Sequence, residues 1–263
     1  MKQTKIKIGG KIPLVGILTQ PDKPTDRVVV LVHGFSVDKE EDGIFTKLAK
    51  QLTEAGFATF RFDFRYHGES GGNWKDFTVS GEVEDLTEVV DFLKFKKFKK
   101  IGIVAASFGG SIGVLYSSKQ NPHAMCLWNP TLNFKNVFLE PITNWGKRNF
   151  AGKWKEIEES GFLEVNKKKM GKEMYEELKS INLEKYFSKI KCPVLIIHGN
   201  KDTYVPYSDS VKYLKMFGGK SELFTIEGAE HGFHDRKKDA KIANKKTVNF
   251  FLDNLWFRTS QTV

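Results

Sequence analysis

Cysteine is scarce in this chain: the only two, Cys126 and Cys192, are too few for a disulfide framework and lack the CxxC spacing of a metal site. Each stands beside an apolar run, where a thiol packs as a small hydrophobe. No apolar stretch approaches the roughly 20 residues that a membrane span requires. Met1 to Gly16 alternates Lys with apolar residues instead of forming the uninterrupted core of a secretory signal, so a cytoplasmic location is the expectation. There is no HxxxH pair, and no glycine-rich phosphate loop follows a strand; no metal and no cofactor are therefore expected. The formal net charge is +10, but the lysines fall in short groups such as Lys96-Lys97 and Lys167-Lys168-Lys169 among acidic residues, which describes a solvated basic surface. Clustered arginines interleaved with exposed aromatics are missing, and a nucleic-acid partner is not expected.

What is present is alternation. Lys5 to Ile8 and Pro13 to Leu18, separated by Gly9-Gly10, read as a hairpin. Arg27 to His33 (RVVVLVH) is a continuous β-branched run of the kind buried in a parallel sheet, ended by Gly34. Phe57 to Phe62, Lys100 to Ala106, Ala124 to Trp128, Pro193 to His198 and Glu222 to Ile226 read as further strands. Between them, Ile44 to Ala55 has helical apolar spacing. A second helix opens at Ser80, with Glu82 and Glu84 in its first turn and Val83, Leu86, Val90 and Leu93 as its buried stripe. A third runs from Ser107 to Ser118, and a last one from about Ala240 to Phe257 buries Val248, Phe251, Leu252 and Leu255. Strands alternating with helices of this length predict an α/β fold, a mostly parallel sheet wrapped by helices on both faces. From Pro130 to Lys191 no buried strand is evident, only aromatics among charges, including Phe138, Trp145 and Trp154. A segment there is most simply a cap over the carboxyl end of the sheet, where open α/β sheets bind ligands. The expected organisation is a core of residues 1–130 and 192–263 with an inserted cap, or lid, of 131–191.

Three side chains carry the chemistry. Ser107, in Ala105-Ala106-Ser107-Phe108-Gly109, sits where a strand turns into a helix, and small residues on either side suit the sharp elbow of a nucleophile. A serine hydroxyl needs a neighbouring base, and His231 is the histidine that follows the last strand in a glycine-flanked turn, preferred over His234. Asp202 follows a late strand and is placed to accept the other imidazole N–H. The donors for a developing oxyanion are expected to be the backbone amides of Phe108, after the nucleophile, and Phe35, in the His33-Gly34-Phe35-Ser36 loop. His33 reads as a loop organiser and Ser36 as structural. Asp63, Arg65 and His67 read as charges that fix a loop.

The motifs HGFS (33–36), DFRYHGES (63–70), AASFGG (105–110), HGNKDTYVP (198–206) and GAEHGF (228–233) together resemble the α/β-hydrolase superfamily. Within it the chain is most similar to bacterial cinnamoyl (feruloyl) esterases and related small carboxylesterases. The pattern covers Arg27 to Pro130 and Cys192 onwards; Ala105 replaces the usual first glycine of the elbow, and the 131–191 region matches less well. The resemblance implies an α/β-hydrolase fold. It also implies a serine carboxylesterase acting on small or medium acyl or aromatic acyl esters, with Ser107 nucleophile, His231 base, Asp202 acid and Phe35 and Phe108 oxyanion donors. A thioesterase or peptidase of the same fold is the alternative, and a non-catalytic binding protein the third reading. The expected partner is a small-molecule ester, and a homodimer is left open.

Overall fold

The computed structural model describes residues 1–233 and 236–256; Phe257, the expected end of the last helix, and His234 lie outside the described residues. Among the described residues ten strands form: β1 (Lys2–Ile8), β2 (Leu14–Gln20), β3 (Arg27–Val32), β4 (Ala58–Asp63), β5 (Lys100–Ala106), β6 (Ala124–Trp128), β7 (Phe162–Val165), β8 (Lys168–Gly171), β9 (Val194–Gly199) and β10 (Ser221–Ile226). The α-helices of the described residues lie between and after them: α1 (Ile44–Glu54), α2 (Val79–Phe95), α3 (Phe108–Gln120), α4 (Asn144–Phe150), α5 (Trp154–Ser160), α6 (Lys172–Ser180), α7 (Glu184–Phe187), α8 (Tyr207–Tyr213) and α9 (Lys237–Phe251). Eight strands make one sheet in the order β1-β2-β4-β3-β5-β6-β9-β10. β1 and β2 are the expected antiparallel hairpin, β2 is antiparallel to β4, and every pairing from β4 to β10 is parallel.

The period of two along a strand divides the core. In β3, Val28, Val30 and Val32 face one side, where Leu86, Val90 and Leu93 of α2 and Ile112 of α3 cover them. Val29 and Leu31 face the other, against Phe45, Leu48 and Leu52 of α1 and Phe251 of α9. This is why RVVVLVH shows no alternation: both faces are covered. Cys126 and Cys192 are buried in these two apolar clusters, as expected.

Three details differ from the sequence reading. Helix α2 is capped by Thr78, whose Oγ1 accepts from the Gly81 amide at 3.0 Å, so the helix starts at Val79, one residue before Ser80. Glu82 is buried, and Val89 lies in the stripe while Val83 is only partly covered. Helix α9 starts at Lys237 and passes into a wider turn, Leu252–Trp256; Phe251 and Leu255 are buried, Val248 and Leu252 half-buried. The segment between β6 and β9 does contain strands. β7 and β8 form an antiparallel hairpin around Asn166 and Lys167, both at positive φ, with Leu163, Val165 and Met170 turned inward.

Candidate active site

The carboxyl ends of β5, β9 and β10 lie close together in the sheet, and each is followed by one of the three expected side chains. Ser107 links β5 to α3 with φ 52 and ψ −121, a left-handed conformation that a non-glycine residue holds only when its surroundings insist. They do so through three backbone bonds: the Ser107 amide donates to Trp128 O at 2.8 Å, and Ser107 O accepts from Gly110 N at 3.0 Å and Thr131 N at 2.8 Å. Gly109 is needed for close approach, since a Cβ there would stand 2.3 Å from the carbonyl oxygen of His33.

His231 opens a short turn (His231–Phe233) in which Gly232 and Phe233 both take positive φ. Its Nε2 lies 3.1 Å from Ser107 Oγ and its Nδ1 lies 2.7 Å from Asp202 Oδ2. An ionised carboxylate only accepts, so Nδ1 carries the hydrogen and Nε2 faces the serine with its lone pair. Asp202 is held from all sides: Oδ1 accepts from the amides of Tyr204 and Val205, each at 2.8 Å, and Oδ2 also accepts from His198 Nε2 at 3.2 Å. Burial works to raise the Asp202 pKa, but the charge of His231 and the bonds from His198 and His231 outweigh it, and the carboxyl is held below the ordinary range. Burial likewise works to lower the His231 pKa. The charge and hydrogen bond of Asp202 prevail, aided by Glu41 and Glu230, and it is raised above 6.5.

Ser107, Asp202 and His231 are therefore brought together as the sequence reading expected. Phe35 and Phe108 both line the cavity beside Ser107, and among the described residues no acceptor is paired with either amide. The Phe35 ring packs against Trp74, Phe108 and Phe138 with centroids 5.2, 5.8 and 5.7 Å apart, which anchors its loop. His33 is buried. Its Nδ1–H donates to Gly34 O at 2.9 Å and its Nε2 accepts from the Phe64 amide at 3.2 Å, while burial lowers its pKa to about 4, so it is a neutral loop organiser. Ser36 is tied to the β7–β8 turn, its Oγ accepting from Asn166 Nδ2 at 3.0 Å and its carbonyl from Lys168 Nζ at 2.8 Å. Asp63 holds the Lys39 amide and ammonium at 2.7 and 2.8 Å, Arg65 pairs with Asp85 and Glu88, and His67 accepts from Trp74 Nε1 at 2.8 Å.

Sequence reasoning missed Glu41. Its Oε2 accepts from the Gly34 amide at 2.7 Å, next to the Phe35 amide, and burial pushes its carboxyl up to about 7. It is part of Asp38-Lys39-Glu40-Glu41-Asp42, a run that looks like a solvated charge cluster. His198 was also missed in its role of bridging Asp202 to Ser210 Oγ, 2.7 Å from His198 Nδ1. The cavity beside Ser107 measures about 650 Å³, and Phe35, Phe108, Phe138, Trp145 and Tyr204 give it an aromatic wall. Among the described residues no group of three or more potential metal ligands is gathered. No helix of the described residues is long and apolar enough to cross a membrane.

A mostly parallel sheet of this order, wrapped by helices on both faces, defines an α/β-hydrolase fold. The family model described as serine aminopeptidase, S33, matches residues 23–171, and the chain belongs to that family. It is 26% identical over 224 residues to the serine hydrolase BPHL of Homo sapiens, covering 81% of this chain and 76% of that protein. Among solved structures, Est1E from Butyrivibrio proteoclasticus with ferulic acid bound matches with a TM-score of 0.80 and 23% identity, over 95% of this chain and 99% of that one. The esterase Pf2001 from Pyrococcus furiosus matches with a TM-score of 0.73 and 20% identity, over 96% and 90%.

Proposed function

We propose that the protein is a serine carboxylesterase that hydrolyses small or medium acyl or aromatic acyl esters, of hydroxycinnamoyl type, through an acyl-enzyme. The observation that carries this reading is the unbroken line from Asp202 Oδ2 through His231 to Ser107 Oγ, with contacts of 2.7 and 3.1 Å. As Ser107 Oγ bonds to the ester carbonyl carbon, its proton passes to His231 Nε2, and the carbonyl oxygen becomes an oxyanion held by the amides of Phe35 and Phe108. His231 Nε2–H then gives the proton to the departing alcohol oxygen as the C–O bond breaks. Water repeats the sequence on the acyl-enzyme, releasing the carboxylic acid and restoring Ser107. Asp202 stays ionised throughout, in keeping with its depressed pKa, and keeps the imidazole in the reactive tautomer. Residues 131–191 act as the cap: Phe138 and Trp145 come from this segment and wall the cavity. The aromatic wall and the fold shared with Est1E, whose structure holds ferulic acid, support an aromatic acyl group.

The family's description favours a second reading, cleavage of an amide. Paired p-nitrophenyl esters and p-nitroanilides of the same acyl groups separate the two, and turnover of the anilides above the esters would overturn the esterase assignment. Replacing Ser107 by Ala should lower kcat by at least about a thousandfold and abolish fluorophosphonate labelling. Undiminished turnover by that variant would remove Ser107 from the mechanism.

A further inference from the structure

Tyr204 makes a contact that the mechanism above does not use. Its ring lies 9° from parallel to the His231 imidazole, with centroids 4.9 Å apart. Trp145 of α4 stacks on the same tyrosine at 18° and 5.4 Å. The backbone fixes this arrangement. The Tyr204 amide donates to Asp202 Oδ1, so the carboxylate that holds the imidazole also holds the residue stacked on it. From the other segment, Thr143 Oγ1 donates to Tyr204 O at 2.9 Å and the Trp145 amide donates to Thr203 O at 3.2 Å.

We propose that Tyr204, backed by Trp145, is a positioning residue for the catalytic base, keeping the His231 ring aligned between Asp202 and Ser107 and favouring the imidazolium formed in each half of the reaction. This rests on the serine-hydrolase reading above. An aromatic face carries partial negative charge and attracts a cation far more than a neutral ring, so the stack strengthens when His231 takes the serine proton. An interaction that grows on the way to the transition state raises kcat and leaves substrate binding alone. The other charged or titratable groups that act on His231 are Asp202 after β9, Glu230 immediately before His231 in the chain and Glu41 from the segment after β3, with His198 acting through Asp202. All three acids also favour the imidazolium, and the stack adds to them. It gives the segment between β6 and β9 a route to the reacting imidazole that does not pass through substrate.

The test compares Tyr204→Phe, which keeps the aromatic face, with Tyr204→Leu, which keeps apolar cover and loses it. Steady-state kinetics on p-nitrophenyl acetate, whose acyl group is too small to need the aromatic wall, should show kcat for the Phe variant within about twofold of the wild type; the Leu variant should fall about 5- to 10-fold, with KM nearly unchanged. Independently of turnover, NMR titration of histidine-labelled enzyme should show His231 taking up its proton about half to one pH unit lower in the Leu variant than in the Phe variant. Equal kcat and equal titration in the two variants would overturn the proposal, as would a loss confined to KM. A wild type that cleaves no ester would instead count against the hydrolase reading, and the titration would still decide the stack.

Discussion

At the residue scale, Glu41 gives the most telling test, because its two effects separate. As an acceptor it holds the Gly34 amide, and as a charge it favours the protonated form of His231. Glu41→Gln keeps an acceptor oxygen and removes the charge. In the proposed mechanism the base must be neutral to act, so kcat/KM should rise with pH as His231 loses its proton, with a midpoint above 6.5 in the wild type. Loss of the nearby negative charge moves that limb to lower pH in the Gln variant, with kcat on the plateau little changed. Glu41→Ala leaves the Gly34 amide without its partner and should lower plateau kcat by about tenfold. A pH–rate profile of the Gln variant that overlays the wild type would exclude the electrostatic role. Ser107, Asp202 and His231 were legible because each follows a strand whose hydrophobic run is plain, and their order along the chain is informative. Glu41 and Tyr204 were not, because neither a glutamate in an acidic run nor a tyrosine in a turn has a local pattern that reveals which distant ring or amide it meets.

At the element scale, helix α2 shows what an alternation of polar and apolar residues conceals. Its buried face includes Glu82 and Asp85, acids that a helical pattern assigns to solvent. They face the Arg65–His67 loop: Asp85 Oδ2 accepts from the Arg65 amide at 2.7 Å, and Glu82 Oε1 lies 3.9 Å from His67 Nε2. Burial raises Asp85 from 3.8 to about 7. Between those pH values the folded protein keeps a proton that the unfolded chain has lost, so this group favours folding less and less as pH rises from about 4 to about 7. Asp85→Asn retains an acceptor and abolishes the titration. The melting temperature of the variant minus that of the wild type should therefore increase across this range and level off above it, as read by scanning calorimetry; a constant difference would show that Asp85 ionises normally. The β7–β8 hairpin was illegible for a different reason. Two strands of four residues carry too few alternations to register, and the Asn166-Lys167 turn lacks the glycine that announces a tight hairpin.

At the scale of the whole molecule, the parallel sheet and its two covered faces could be read from the sequence almost strand for strand, since continuous β-branched runs separated by helical spacing leave few alternatives. The relation between the core and residues 131–191 could not. Phe138, Phe150, Met174 and Phe187 of that segment belong to the same apolar cluster as Val30, Ile103 and Phe108 of the sheet side. A segment whose hydrophobic residues merge with those of the core has little reason to melt separately. Calorimetry should show one transition with equal calorimetric and van't Hoff enthalpies, and a resolved second peak would indicate that the segment unfolds alone.

The hydrogen of Gly109 faces the carbonyl of His33, leaving no room for even a methyl group. The start of α3 and the loop after β3, far apart along the chain, thus meet in close contact, and the amides of Phe108 and Phe35 lie in those two segments. Their spacing behaves like a gauge machined into the main chain. On the esterase reading proposed above, a side chain at position 109 would push apart the two amides assigned to the oxyanion, whatever acyl group the cavity walls select.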